Sequence, residues 1–177
     1  ADSTGGHVRA GGVVGQTVGI VRAKIAGCTY TGGSVTAVCG GQGSNNIVGG
    51  IVGQADSSTV VDSCTASSEK ISASGESALN MAGGIAGELK HARMTNCTAA
   101  AAISAEGTNS NDAGGITGNA FNGQITGCTY TGGAGSITAK GGEYNIGGIS
   151  GALKDSSSVS NCAWNGDSSE NATGMGV

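Results

Sequence analysis

Gly83-Gly84-Ile85-Ala86-Gly87, then Met94-Thr95-Asn96-Cys97, then Ile103-Ser104-Ala105: three short patterns succeed one another within residues 83–105, and they recur in the same order along the chain. The first, Gly-Gly-(Ile/Val)-x-Gly, starts at Gly11, Gly49, Gly83, Gly114 and Gly147, at spacings of 38, 34, 31 and 33 residues. The second, an aliphatic residue followed three positions later by Cys, ends at Cys28, Cys64, Cys97, Cys128 and Cys162, at spacings of 36, 33, 31 and 34. The third comprises Val35-Thr36-Ala37, Ile71-Ser72-Ala73, Ile103-Ser104-Ala105 and Ile137-Thr138-Ala139. One period shared by three patterns marks an internal repeat, which takes precedence over any local reading.

Each pattern is too short for a helix and is bounded by glycine or polar turn residues, so each reads as a short strand. Three such strands in a unit of this length make one coil of a solenoid whose equivalent residues stack about 4.8 Å apart. The expected fold is therefore all-β, a parallel β-solenoid of about five coils with three short strands per coil. It forms one domain over 1–177, with repeats at approximately 11–48, 49–82, 83–113, 114–146 and 147–177. Three apolar ladders should fill it: Val13, Ile51, Ile85, Ile116 and Ile149; Ile25, Val61, Met94, Ile125 and Val159; and Val35, Ile71, Ile103 and Ile137. Burial of each such side chain contributes roughly 1.5–3 kcal/mol, against the entropy cost of ordering many glycines.

The residue before each repeat Cys is Gly27, Ser63, Asn96, Gly127 or Asn161. Gly and Asn enter the left-handed region cheaply. A left-handed corner there breaks strand alternation, so that the aliphatic residue and the Cys both point inward. The last glycine of the first pattern (Gly15, Gly53, Gly87, Gly118, Gly151) is expected to make a second corner.

Gly-Gly-Ile-x-Gly, then Ile-x-Asn-Cys or Ile-x-Gly-Cys, then a small-residue stretch and Ile-Thr-Ala, resembles the GLUG repeat of bacterial surface proteins. That family includes adhesins and the surface regions of some IgA-cleaving peptidases. The resemblance covers essentially the whole chain in five copies, departing in Ile or Val where the family has Leu and in longer loops. It implies a cell-surface or exported setting with a stalk-like or adhesive role.

Five of the six cysteines share one repeat position and should form a column inside the coil, Cys28, Cys64, Cys97, Cys128 and Cys162, as buried thiols or as disulfides. Cys39 lies outside the column, in the first coil's loop, either paired with a nearby Cys or exposed. A linear column does not make a tetrahedral metal site, and Cys-x-x-Cys is absent.

The 177 residues include 36 glycines and no proline, with 11% charged and 3% aromatic residues. The net charge of −4 and the scatter of eight Lys and Arg argue against nucleic acid as a partner. The apolar runs are too short to span a bilayer. A start at Ala1-Asp2-Ser3 is what cleavage after a small-residue site leaves, so a secreted, extracellular or cell-surface protein is expected. No phosphate loop, calcium nonapeptide or convergent acid–base pair appears, and His7 and His91 read as solvated loop residues. No catalytic, metal or cofactor-binding residue is therefore assigned, and no enzyme is expected.

Thr29, Thr65, Thr98 and Thr129 should face outward in one row, and Thr36, Ser72, Ser104 and Thr138 in another. Thr is favoured on solvated strand faces, while flat Thr rows also serve ice binding. The chain's two ends have matching phase, the second reaching Met175-Gly176-Val177, where the third strand of the last coil is expected. The expected function is a non-catalytic structural or adhesive protein whose copies stack head to tail into a surface filament. The alternatives are a stalk module binding a host or surface glycan or protein, with Tyr30, Tyr130 or Trp164 as contacts, and an ice-binding protein.

Overall fold

The computed structural model describes residues 2–3, 6–19, 22–41, 43–76, 78–133 and 135–165. The stretch Met175-Gly176-Val177 lies outside them. The chain is a parallel β-solenoid of about four full turns, without a helix among the described residues. Three sheets line it, all paired parallel.

The second sheet stacks Val14–Thr17, Val52–Ala55, Ala86–Lys90, Thr117–Phe121 and Ser150–Lys154, and the third stacks Lys24–Ala26, Val60–Asp62, Arg93–Thr95, Gln124–Thr126 and Ser158–Ser160. Third-sheet strands alternate a buried residue between two more open ones, as in Lys24-Ile25-Ala26 and Arg93-Met94-Thr95. The first sheet has 11 strands and bends around the coil, with Thr98–Gly114 its longest. It takes in both the Ile-Thr-Ala stretch and the strand leading into each Gly-Gly pair, such as Asn45–Gly49 and Leu79–Gly83.

The corner before each Cys is left-handed throughout: φ is 63° at Gly27, 53° at Ser63, 54° at Asn96, 65° at Gly127 and 53° at Asn161. It lets Val61 and Cys64, Met94 and Cys97, and Ile125 and Cys128 all reach the core. The other corner falls at Gly-Gly-Ile, earlier than expected. There each Ile carbonyl accepts two N–H groups from the preceding coil: Val13 and Val14 donate to Ile51 O, and Ile51 and Val52 to Ile85 O, all at 3.0 Å.

Gly15, Gly53, Gly87, Gly118 and Gly151 make no corner. They lie inside second-sheet strands, and none has a positive φ. Their small size serves close approach instead: a Cβ on Gly87 would stand 2.5 Å from Val48 N, and one on Gly118 2.7 Å from Ala82 N.

Ile51, Ile85, Ile116 and Ile149 are buried, as are Ile25, Val61, Met94 and Ile125, and Val35, Ile71, Ile103 and Ile137. Val13 is 46% exposed and Val159 half-buried. Both belong to terminal coils, where a ladder residue has a neighbour on one side only.

Candidate functional site

The cysteine column runs inside the corner after the third sheet. Cys64, Cys97 and Cys128 are buried, whereas Cys28 and Cys162, in the outer coils, are half-buried. All six cysteines are thiols. The column is tied backbone to sulfur: Cys64 N donates to Cys97 Sγ at 3.5 Å, Cys97 N to Cys128 Sγ at 3.4 Å, and Cys128 N to Cys162 Sγ at 3.3 Å. Burial pushes the Cys64 thiol up to about 11. Hydrogen bonding from Cys128 holds Cys162 down at about 6, while Cys128, which supplies that bond, is raised. Cys39 is neither exposed nor bridged; it is buried, and its Sγ donates to Gly6 O at 3.3 Å.

The three aromatic residues proposed as glycan contacts occupy equivalent positions inside the coil. Tyr130 is buried, and its hydroxyl donates to Ala101 O at 2.6 Å, which removes it as a surface platform. Tyr30 and Trp164 are half-buried and pack against the core. Each ring lies over the second glycine of a Gly-Gly pair, because only glycine leaves room beneath it. Coils two and three place Ala66 and Ala99 there.

Of the first outward row, Thr29 and Thr65 are exposed, and Thr98 and Thr129 half-buried. The second row is more covered than expected. Thr36, Ser104 and Thr138 are half-buried and Ser72 is buried, with Ser72 Oγ bonded to Thr36 Oγ1 at 3.4 Å and in-register neighbours on both sides.

Two polar columns escaped the sequence reading. Asn46, Asn80 and Asn111 form a buried amide ladder, Asn46 Nδ2 donating to Asn80 Oδ1 and Asn80 Nδ2 to Asn111 Oδ1, both at 2.9 Å. The signal was present: each Asn stands three residues before its Gly-Gly pair. The second column, on the second sheet, aligns Gln16, Gln54, Glu88 and Asn119 in register. Gln16 Nε2 donates to Gln54 Oε1 and Gln54 Nε2 to Glu88 Oε2, each at 2.7 Å, and the Arg9 guanidinium also donates to Gln54. Burial raises the Glu88 carboxyl above its ordinary range. Asn119 Nδ2 donates at 3.0 Å to the buried Asp112, which also accepts from Asn145 at 2.7 Å and faces Lys154 Nζ at 3.9 Å. Asn119 Oδ1, next to Glu88 in register, has no partner among the described residues.

Among the described residues no three His, Cys, Asp or Glu side chains converge to hold a metal ion. His7 and His91 are both exposed.

The end faces carry complementary chemistry. Following the corner pattern, Val13 O at one face and the Ile149 and Ser150 N–H groups at the other have no coil partner among the described residues. Apolar ladder residues surface there too, Val13, Cys28 and Tyr30 at one end and Val159, Cys162 and Trp164 at the other. No protein-family model, curated protein or solved structure matches the chain. The fold defines it as a parallel β-solenoid.

Proposed function

We propose that the chain is a non-catalytic, extracellular structural protein whose copies stack head to tail into a filament at the cell surface. The observation that carries this reading is the match between the end faces. A second copy in register would set Ile149 and Ser150 N–H against Val13 O, continuing the two-donor corner. The same step would place Val159 on Ile25, Cys162 on Cys28 and Trp164 on Tyr30, extending each ladder by the spacing used inside the coil. Such a contact is heterologous and does not close, so it propagates. Stacking also covers strand edges that otherwise invite uncontrolled pairing.

Negative-stain electron microscopy of the purified chain tests this. Long thin fibres are expected, and Val159→Asp, which places a charge in the stacked interface, should leave single particles. Particles that stay monomeric in wild type at high concentration overturn the filament and favour a module within a larger surface structure.

A further inference from the structure

The corner between the second and third sheets holds a groove of about 630 Å³ that crosses four successive coils. At the strand spacing, four coils give it a length of roughly 14 Å. Arg22 comes from the first coil, Ser58 from the second, His91 and Arg93 from the third, and Asn122 and Gln124 from the fourth. Among the described residues no carboxylate lines it, although the chain as a whole carries net charge −4.

The groove presents donors. Gln124 Oε1 accepts from Arg93 Nε at 3.2 Å, which leaves the Gln124 amide NH2 without a partner among the described residues. Asn122 Oδ1 accepts from Ser156 N at 3.2 Å, so its NH2 is likewise the group left over. Because Arg Nε and a backbone N–H can only donate, both amide orientations are fixed. Neither Arg22 nor Arg93 has a carboxylate partner among the described residues. The His91 ring is held edge-on to Phe121, with centroids 5.4 Å apart, which fixes it at the groove's side. Val60 and Ala92 give the groove a small apolar floor.

The backbone at this corner is left-handed, with φ of 65° at Arg22, 64° at Ser58, 48° at His91 and 49° at Asn122, and 55° at Asp155 in the coil beyond the groove. Glycine adopts that conformation at least cost, and the corner before the cysteines uses it twice. Here all five residues are non-glycine; of the four that line the groove, two carry cationic or imidazole side chains, while Asp155 lies one coil beyond it.

We propose that this groove binds an acidic oligosaccharide, its carboxylate or sulfate groups held by Arg22, His91 and Arg93 and its hydroxyl oxygens by the Asn122 and Gln124 amides. Guanidinium groups pair with such oxyanions through two parallel hydrogen bonds. The length across four coils, the open polar walls and the small apolar floor fit a short chain of sugar rings, one face of each ring being CH. The proposal is independent of end-to-end stacking.

Isothermal titration with an oligogalacturonide, a heparin-derived oligosaccharide and a neutral maltooligosaccharide of equal length tests it. One or both acidic probes should bind and the neutral one should not, the carboxylated and sulfated probes showing which anion is preferred. Arg93→Gln and Arg22→Gln should each weaken binding by roughly ten- to a hundredfold, while Lys70→Gln, exposed on another face, should leave it unchanged. Circular dichroism of the variants confirms that they fold. The proposal is overturned if neither acidic probe binds, if the Arg variants bind as wild type, if Lys70→Gln weakens binding equally, or if an aspartate-rich peptide of equal charge binds more tightly.

Discussion

Gly115 lies directly beneath the Tyr130 ring: a Cβ at Gly115 would stand 2.6 Å from Tyr130 Cγ and 2.1 Å from Gly148 O of the next coil. The second obstacle is backbone and cannot move aside. Gly115→Ala should therefore destabilise the fold by about 1–3 kcal/mol or more, read as a lower denaturant midpoint. Tyr130→Ala in the same chain should fail to restore it, since the carbonyl clash stays. Recovery in the double variant would show that the ring alone sets the limit.

The asparagine ladder makes a graded prediction. Asn80 is its middle member, bonded to both Asn46 and Asn111. Asn80→Ala removes two ladder bonds and the Nδ2 bonds to Gly75 O and Ala78 O, and leaves Asn111 Oδ1 buried without its donor, a cost of about 1–3 kcal/mol for the stranded oxygen alone. Asn46 is terminal, with Val8 as its in-register neighbour and its Oδ1 unpaired among the described residues; its Nδ2 also donates to Cys39 O and Ser74 O, so it makes one ladder bond fewer than Asn80. Asn46→Ala should cost less. Urea unfolding of the two variants side by side checks the order, and equal losses would mean that the ladder is not cooperative.

Glu88 predicts how stability changes with pH. Burial raises its folded carboxyl above the unfolded value, with Arg9, Lys90 and Lys154 opposing the shift and Asp56 reinforcing it. A raised carboxyl means that the folded state holds the proton more tightly. Its contribution is complete below the unfolded value and declines as pH rises through the folded one. Glu88→Gln should remove that decline and gain about 1–3 kcal/mol near neutrality, because a glutamine NH2 there can donate to the unpaired Asn119 Oδ1. Denaturant midpoints of both proteins from pH 4 to pH 8 test this; parallel curves would contradict it.

Asp62 works in the opposite sense. A hydrogen bond from Thr95, at 2.7 Å, is the main cause holding its carboxyl below the ordinary value. Its small stabilising effect is present above the unfolded value and fades as pH falls through the folded one. Thr95→Val should flatten this acid limb of the stability curve, and an unchanged acid limb would remove Asp62 from the account.

The fold was legible because three patterns share a period and because Gly or Asn precedes most of the repeat cysteines, which places the left-handed corner. The Gly15 series was misread because glycine serves two purposes, positive φ and close approach, that look alike in sequence. Burial at Val13 and Val159 depends on whether another coil lies beyond, which the repeat does not state. The polar columns were missed for a different reason. Gln54, Glu88 and Asn119 gain meaning from partners a full coil away, and Asp112 from a strand across the corner. The groove is hardest to read, since Arg22, His91 and Asn122 sit in the connections between the second and third sheets and Arg93 opens a third-sheet strand, and these residues align only once the coils are stacked.

Access separates the column's middle, which is buried, from its half-buried ends. Cys162 is half-buried, and hydrogen bonding from the Cys128 thiol holds its own thiol below the ordinary cysteine value, which favours the thiolate. Reactivity follows thiolate fraction and access. Native protein treated briefly with iodoacetamide at pH 7 should therefore be alkylated first at Cys162, with Cys39, Cys64, Cys97 and Cys128 protected until denaturant is added, as peptide mass spectrometry would show. Lowering the pH should slow Cys162 labelling as its thiolate is protonated. Where copies stack, Cys162 is covered by the next coil, so labelling should be slower in assembled wild type than in the Val159→Asp particles. Equal rates in the two would mean that the Cys162 end face stays open to solvent.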